Sequence, residues 1–153
     1  MTYQSGVPFS VIDSAGATLF TPSSPNESLA SYAPGAGISD VYTSGGVQQR
    51  LNGYVNASAF TPAPTLNNGT LFGNLYRNMF CGPLQQNWDL ALNKVFSITE
   101  RQQIKFGAQF FNMWNHPVFA NPSFVDISGQ SFGAITSTVD TPCLIQLNAR
   151  YQF

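Results

Sequence analysis

Residues 145–153 alternate without interruption. Ile145, Leu147, Ala149, Tyr151 and Phe153 are apolar, and Gln146, Asn148, Arg150 and Gln152 between them are polar. A period of two sends successive side chains to opposite faces of an extended strand, so this stretch is a strand with one oily face and one wet face. Two further stretches repeat the pattern. In 88–96, Trp88, Leu90, Leu92 and Phe96 share a face, and Asp89, Ala91, Asn93 and Val95 share the other. In 103–113, Ile104, Phe106, Ala108 and Phe110 oppose Gln103, Lys105, Gly107 and Gln109. Lys94 breaks the apolar parity near one end of its strand, where a long stem can carry the ammonium to an interface. Residues 2–12 read as a weaker fourth strand, with Pro8 marking an edge or a bulge.

Between the strands the connections are long, short and long: 13–87, 97–102 and 114–143. Pro22, Pro25, Pro34, Pro62 and Pro64, with Gly35-Ala-Gly37, Ser44-Gly-Gly46 and Asn67-Asn-Gly69, punctuate the first as loop, and short paired segments are expected within it around 53–60. The fold class expected is all-β: an antiparallel meander of about four main strands with long loops. Its strand lengths suit a tilted crossing of the hydrocarbon, and its alternation of short turns and long loops is that of the last strands of an outer-membrane β-barrel.

Composition agrees with that setting. Only 8% of residues are charged, while 43% are hydrophobic and 14% aromatic. An average soluble domain is about 25% charged. Polarity here rests on Asn, Gln, Ser and Thr, which suits a barrel lumen. With a net charge of -1 and no Lys/Arg cluster, nucleic acid is not an expected partner. No run of eighteen apolar residues offers a membrane helix. The start, Met1-Thr-Tyr-Gln-Ser, has neither a basic nor an apolar leader segment, so the 153 residues are expected to be a fragment of a longer chain.

Little in the sequence points to chemistry. No catalytic, cofactor-binding or metal-ligating set stands out, and no cofactor is expected. His116, the lone histidine, sits in Trp114-Asn-His-Pro117 and reads as a turn residue. A serine-hydrolase set of His116, Asp126 and Ser128 can be assembled as the weak catalytic alternative, although such sets are defined by geometry and not by spacing. Gly35-Ala-Gly37 follows loop where a phosphate cradle needs a strand. Tyr32, Tyr42, Tyr54, Phe60, Phe72 and Tyr76 either line a ligand platform or pack the long loop on itself. Arg150, on the wet face, is expected to pair with Asp89 or a neighbour.

Several stretches in order carry a resemblance: Gly6-Val-Pro-Phe-Ser; Phe72-Gly-Asn-Leu-Tyr-Arg-Asn-Met-Phe-Cys-Gly-Pro83; Asn87-Trp-Asp-Leu; Phe96-Ser-Ile-Thr-Glu100; Phe110-Phe-Asn-Met-Trp-Asn-His-Pro-Val-Phe119; Phe132-Gly-Ala-Ile-Thr-Ser137; and the terminal strand. Together they resemble the C-terminal end of TonB-dependent receptor-like proteins of the carboxypeptidase-regulatory-like, acidobacterial type. The resemblance implies a bacterial outer-membrane location and a non-catalytic role as the terminal segment of a 22-stranded transport barrel. The implied partners are outer-membrane lipid, the barrel-assembly machinery, and the remaining strands of a parent barrel or further copies of the chain. Tyr151 and Phe153 resemble the C-terminal signal that the assembly machinery reads. In that family an Arg is common where this chain has Cys81 and again where it has Cys143. Both fall on the outer side of the layout, and a disulfide between them is expected. Two alternatives stay open: a small soluble all-β enzyme or binding protein with its site in the long loop, its oily strand faces packed together as a core, and a self-assembling β unit.

Overall fold

A computed structural model of the protein describes residues 1–15, 28–64 and 73–153. Pro22, Pro25, Asn67-Asn-Gly69 and Phe72 therefore lie outside the described residues. In chain order the elements are β1 (Thr2–Gln4), β2 (Pro8–Phe9), β3 (Ile12–Asp13), β4 (Ser28–Leu29), β5 (Ser31–Tyr32), α1 (Ile38–Val41), α2 (Val47–Asn52), β6 (Phe60–Thr61), β7 (Phe80–Cys81), β8 (Gln85–Asn87), β9 (Leu90–Ser97), β10 (Gln103–Phe111) and β11 (Leu144–Gln152). The fold is all-β with a few short helical turns. No described helix is long and apolar enough to cross a membrane.

The chain divides into two compact units. The first gathers Met1–Gln4, Leu84–Phe119 and Thr138–Phe153. Its centre is a three-stranded antiparallel sheet in the order β11-β10-β9. The three alternating stretches thus form one meander, with β10 in the middle. β8 precedes β9 in the chain and pairs antiparallel with β1 in a separate two-stranded sheet. At Trp88-Asp89 the run from 85 to 97 breaks. There the Asp89 carboxylate accepts the Asn112 N–H at 3.0 Å, and the Trp88 carbonyl accepts the Met113 N–H at 2.9 Å. A side chain thus stands in for a ladder carbonyl, and pairing continues past the end of β10.

Residues 2–12 are not one strand. They fall into β1, β2 and β3, each with its own partner: β8, β7 and β4. The cause is a close backbone approach. A methyl group on Gly6 would overlap the Gly82 carbonyl oxygen, so only glycine lets the two chains meet there. Pro8, which lacks an N–H, then begins a two-residue strand beside Cys81.

The second unit comprises Ser5–Pro83 and Ala120–Ser137, parts of both long connections. It has its own core: Phe9, Val11, Ala30, Val41, Val55, Phe60, Leu75 and Phe80 are buried. Phe80 packs edge-on against Phe60 at 5.6 Å between ring centroids, and Phe60 packs likewise against Phe132 at 5.7 Å. The backbone joins the two connections as well. Ile12 donates to the Val125 carbonyl and accepts from Ile127, Tyr54 donates to Gly133, and Ile135 donates to Leu51. Buried Asp13 accepts the Ala15 and Ala63 N–H groups, both at 3.1 Å. The pairing expected around 53–60 is present as β5–β6, with a single bridge from Tyr42 to Val55.

Candidate functional site

The sheet of the first unit carries its distinguishing chemistry on two faces. Register aligns the apolar residues in rows across the three strands: Leu90, Phe110 and Ile145; Leu92, Ala108 and Leu147; Lys94, Phe106 and Ala149; Phe96, Ile104 and Tyr151. Most of these side chains are exposed, Leu147 at 76% and Phe106 at 50%. An apolar face this continuous, left bare, is not how a water-soluble sheet is built. The alternative in which the oily faces pack together as a core does not hold, because the register sets them side by side on one open surface. β10 has 9 residues, about 30 Å of strand. Tilted as barrel strands are, it rises roughly 23 Å, close to the ~25 Å apolar band of an outer-membrane barrel.

The band has aromatic margins. At the end carrying the 98–102 turn stand Phe96, Tyr151 and Phe153, with the Tyr151 and Phe153 rings 5.9 Å apart and Phe153 94% exposed. At the opposite end, where the long connections leave, Trp88 and Trp114 are exposed. Amphipathic rings favour the level between hydrocarbon and water. Lys94 is the one charge in the apolar rows. Its ammonium lies 5.8 Å from the centroid of the Phe96 ring, one row nearer the margin. The stem covers apolar surface while the charge travels outward.

The reverse face is polar. Its rows are Ser97, Gln103 and Gln152; Val95, Lys105 and Arg150; Asn93, Gly107 and Asn148; Ala91, Gln109 and Gln146. A Cβ on Gly107 would press on the amide groups of Asn93 and Asn148, so glycine makes room for two amides to meet over it. Arg150 stands opposite Lys105. Asp89, one of its expected partners, is instead bonded to Asn112.

Asn112 organises the loop end. It is 4% exposed, and its φ of 47° is one that asparagine tolerates better than most residues. Its side-chain oxygen accepts the His116 N–H, and its side-chain nitrogen donates to the carbonyls of His116 and Thr141. Asn115 likewise accepts the Cys143 N–H. These bonds fix the chain where β10 ends and β11 is approached. Gln86, Trp88, Asn112, Trp114 and His116 line a cleft of about 270 Å³ there. The sequence marks Asn-His-Pro as a turn at a strand end but does not mark Asn112, which builds it. The available signal was an asparagine directly after an alternating strand and four residues before the histidine.

Of the weak catalytic alternative, Asp126 and Ser128 meet in the second unit, whereas His116 belongs to the first. The Ser128 hydroxyl donates to Asp126 at 2.7 Å and lies 2.9 Å from the Ser14 hydroxyl. The backbone N–H groups of Ser14 and Ser128 also donate to the same carboxylate oxygen. This is a clasp that closes one connection on the other. Partial burial pushes the Asp126 carboxyl up, but the donors from Ser14 and Ser128 outweigh it and hold the group down at about 2. The folded value lies below the ordinary 3.8, so the clasp stabilises the fold above about pH 4 and is lost as pH falls through about 2. A carbon-NMR titration of the Asp126 carboxyl is expected to show a midpoint near 2; a midpoint near 3.8 contradicts the clasp.

Cys81 and Cys143 are exposed free thiols. The backbone N–H of Cys81 donates to the Tyr42 hydroxyl at 3.1 Å. Among the loop aromatics, Tyr32, Tyr54 and Phe60 pack the second unit, Tyr54 meeting Tyr42 edge-on at 5.5 Å and the Arg50 guanidinium at 5.8 Å. Burial first, and Tyr42 next, push the Tyr54 hydroxyl up, with Arg50 pulling the other way. Tyr76 is 74% exposed.

A two-faced antiparallel sheet with a bare apolar band, aromatic margins and an amide-rich reverse side defines a segment of a membrane β-barrel. The chain matches the outer membrane beta barrel domain family over residues 1–150 and belongs to it. Its place is the outer membrane. No curated protein and no solved structure matches the chain.

Proposed function

We propose that this chain is the terminal segment of the barrel of a TonB-dependent receptor in a bacterial outer membrane, and that its role is non-catalytic. The apolar face meets lipid, and the amide face lines the lumen. The observation that carries this reading is the bare band of twelve aligned positions in β9, β10 and β11. A second observation favours a segment over a self-contained barrel: β11 has a partner on one edge only among the described residues. An unpaired edge is intolerable in hydrocarbon. The strands that complete the ring belong to the rest of a parent chain or to further copies.

Tyr151 and Phe153, adjacent at the turn end, are the signal taken up by the assembly machinery in this reading. Deleting Phe153 from the parent protein is expected to lower the amount recovered folded in the outer membrane at least tenfold. Unchanged recovery makes the stretch a plain amphipathic strand end. The receptor function is tested by uptake: ligand accumulation through the parent should stop when a protonophore collapses the inner-membrane gradient. Accumulation that continues identifies a passive pore.

A further inference from the structure

The cleft at the loop end of the first unit is walled by Gln86, Trp88, Asn112, Trp114 and His116. All five lie within Leu84–Phe119 of that unit, so this chain alone supplies the walls. The cleft is also preformed. Asn112 is 4% exposed and holds the His116 backbone through two hydrogen bonds and the Thr141 carbonyl through a third. The Trp88 carbonyl accepts the Met113 N–H, which ties one wall to the other. Walls fixed beforehand give up little freedom when a ligand enters.

The lining contains no carboxylate, lysine or arginine. Two indoles offer broad π faces and N–H donors, the Gln86 amide is both donor and acceptor, and the His116 ring adds a further polar edge. Both bonds from His116 to Asn112 use its backbone. A pyranose has the matching layout: a face of C–H groups that lies against an aromatic ring, and a rim of hydroxyls that donate and accept. The volume, about 270 Å³, falls below the ~300–1,000 Å³ of pockets that enclose a drug-sized ligand and suits one ring.

We propose that this cleft binds the pyranose ring of a membrane glycolipid. The lining sets the headgroup, and the position of the cleft sets what carries it. Trp88 precedes Leu90 by two residues, about 6.8 Å of strand, and Leu90, Phe110 and Ile145 form the row of the apolar band nearest the loop end. A ring seated against Trp88 has the band beside it as the path for its tail. A free saccharide would fill the cleft and leave that path unused. The inference needs the lipid-facing band and not the receptor role, so the outcome of the uptake experiment does not bear on it.

Trp88 and Trp114 are the two tryptophans of the chain, so intrinsic fluorescence reports on the cleft alone. The test titrates the full chain, refolded in dodecylphosphocholine micelles, with dodecyl glucoside. Methyl glucoside probes the free sugar, and a polyoxyethylene dodecyl ether probes the tail. A saturable change with dodecyl glucoside is expected, at an apparent affinity at least tenfold above that for methyl glucoside, with no saturable change for the ether. Gln86→Ala/His116→Ala keeps both reporters and should weaken binding at least tenfold. Trp114→Phe, which keeps a stacking ring, should bind, and Trp114→Ser should not. That pair, read through Trp88, keeps the test decisive where the double variant does not refold. An equal response to the ether, or unaltered binding by Trp114→Ser, overturns the proposal. So does saturation by methyl glucoside at the same concentration as dodecyl glucoside, which makes the occupant a free saccharide.

Discussion

Leu147→Arg should lower the folding free energy of the membrane-inserted protein by about 2–4 kcal/mol, the cost of a guanidinium near the middle of a lipid-facing surface. The neighbouring change Gln146→Arg should alter it by no more than about 0.5 kcal/mol. The two positions are adjacent in sequence and differ only in face: Leu147 lies in a row with Leu92 and Ala108, and Gln146 opposite Gln109. Denaturant titration after refolding into phospholipid vesicles, of a parent barrel carrying each change, measures the difference. Equal effects at the two sites would remove the distinction between a lipid face and a lumen face on which the membrane reading stands.

Asn112→Ala should destabilise the protein by about 2–4 kcal/mol. The side chain makes three hydrogen bonds, to His116 N–H, His116 carbonyl and Thr141 carbonyl, each with a net value near 1 kcal/mol. Alanine also accepts a φ of 47° less readily than asparagine. Asn112→Asp keeps the acceptor and loses both donors, so its loss should fall between. Denaturant midpoints read the order directly. His116→Ala should have little effect on stability, because both bonds to Asn112 use the histidine backbone. A larger loss at His116 than at Asn112 would move the organising role to the imidazole.

The central meander was legible because a strand's side-chain period depends on nothing but its own residues. Alternation in 90–97, 103–111 and 144–152 survives translation into structure almost unchanged, apart from the break at Trp88-Asp89. That break depends on Asn112, more than twenty residues away, and no local pattern announces it. Residues 2–12 mislead for the same reason. Their subdivision follows from Gly6 meeting Gly82, a contact invisible in either segment alone. The helices α1 and α2 span 4 and 6 residues, too short for a 3.6-residue period to show. Their starts are held by Asp40 accepting the Gly37 N–H and Gln49 accepting the Gly46 N–H, with glycine in place of the serine or threonine of the usual signal. On the polar face the cations were legible one at a time. That Lys105 and Arg150 are opposite each other is a property of register and required both strands at once.

The interleaving of residues 5–83 with 120–137 constrains how such a protein can diversify. A crossover between relatives that falls within the strands separating these stretches would inherit one partner of the Ile12–Val125 and Tyr54–Gly133 bonds from each parent. Recombinants that exchange both stretches together keep a matched pair, whereas those that exchange one must re-solve the Phe60–Phe132 contact. Variation on this surface is thus expected to pass between lineages as a two-part cassette.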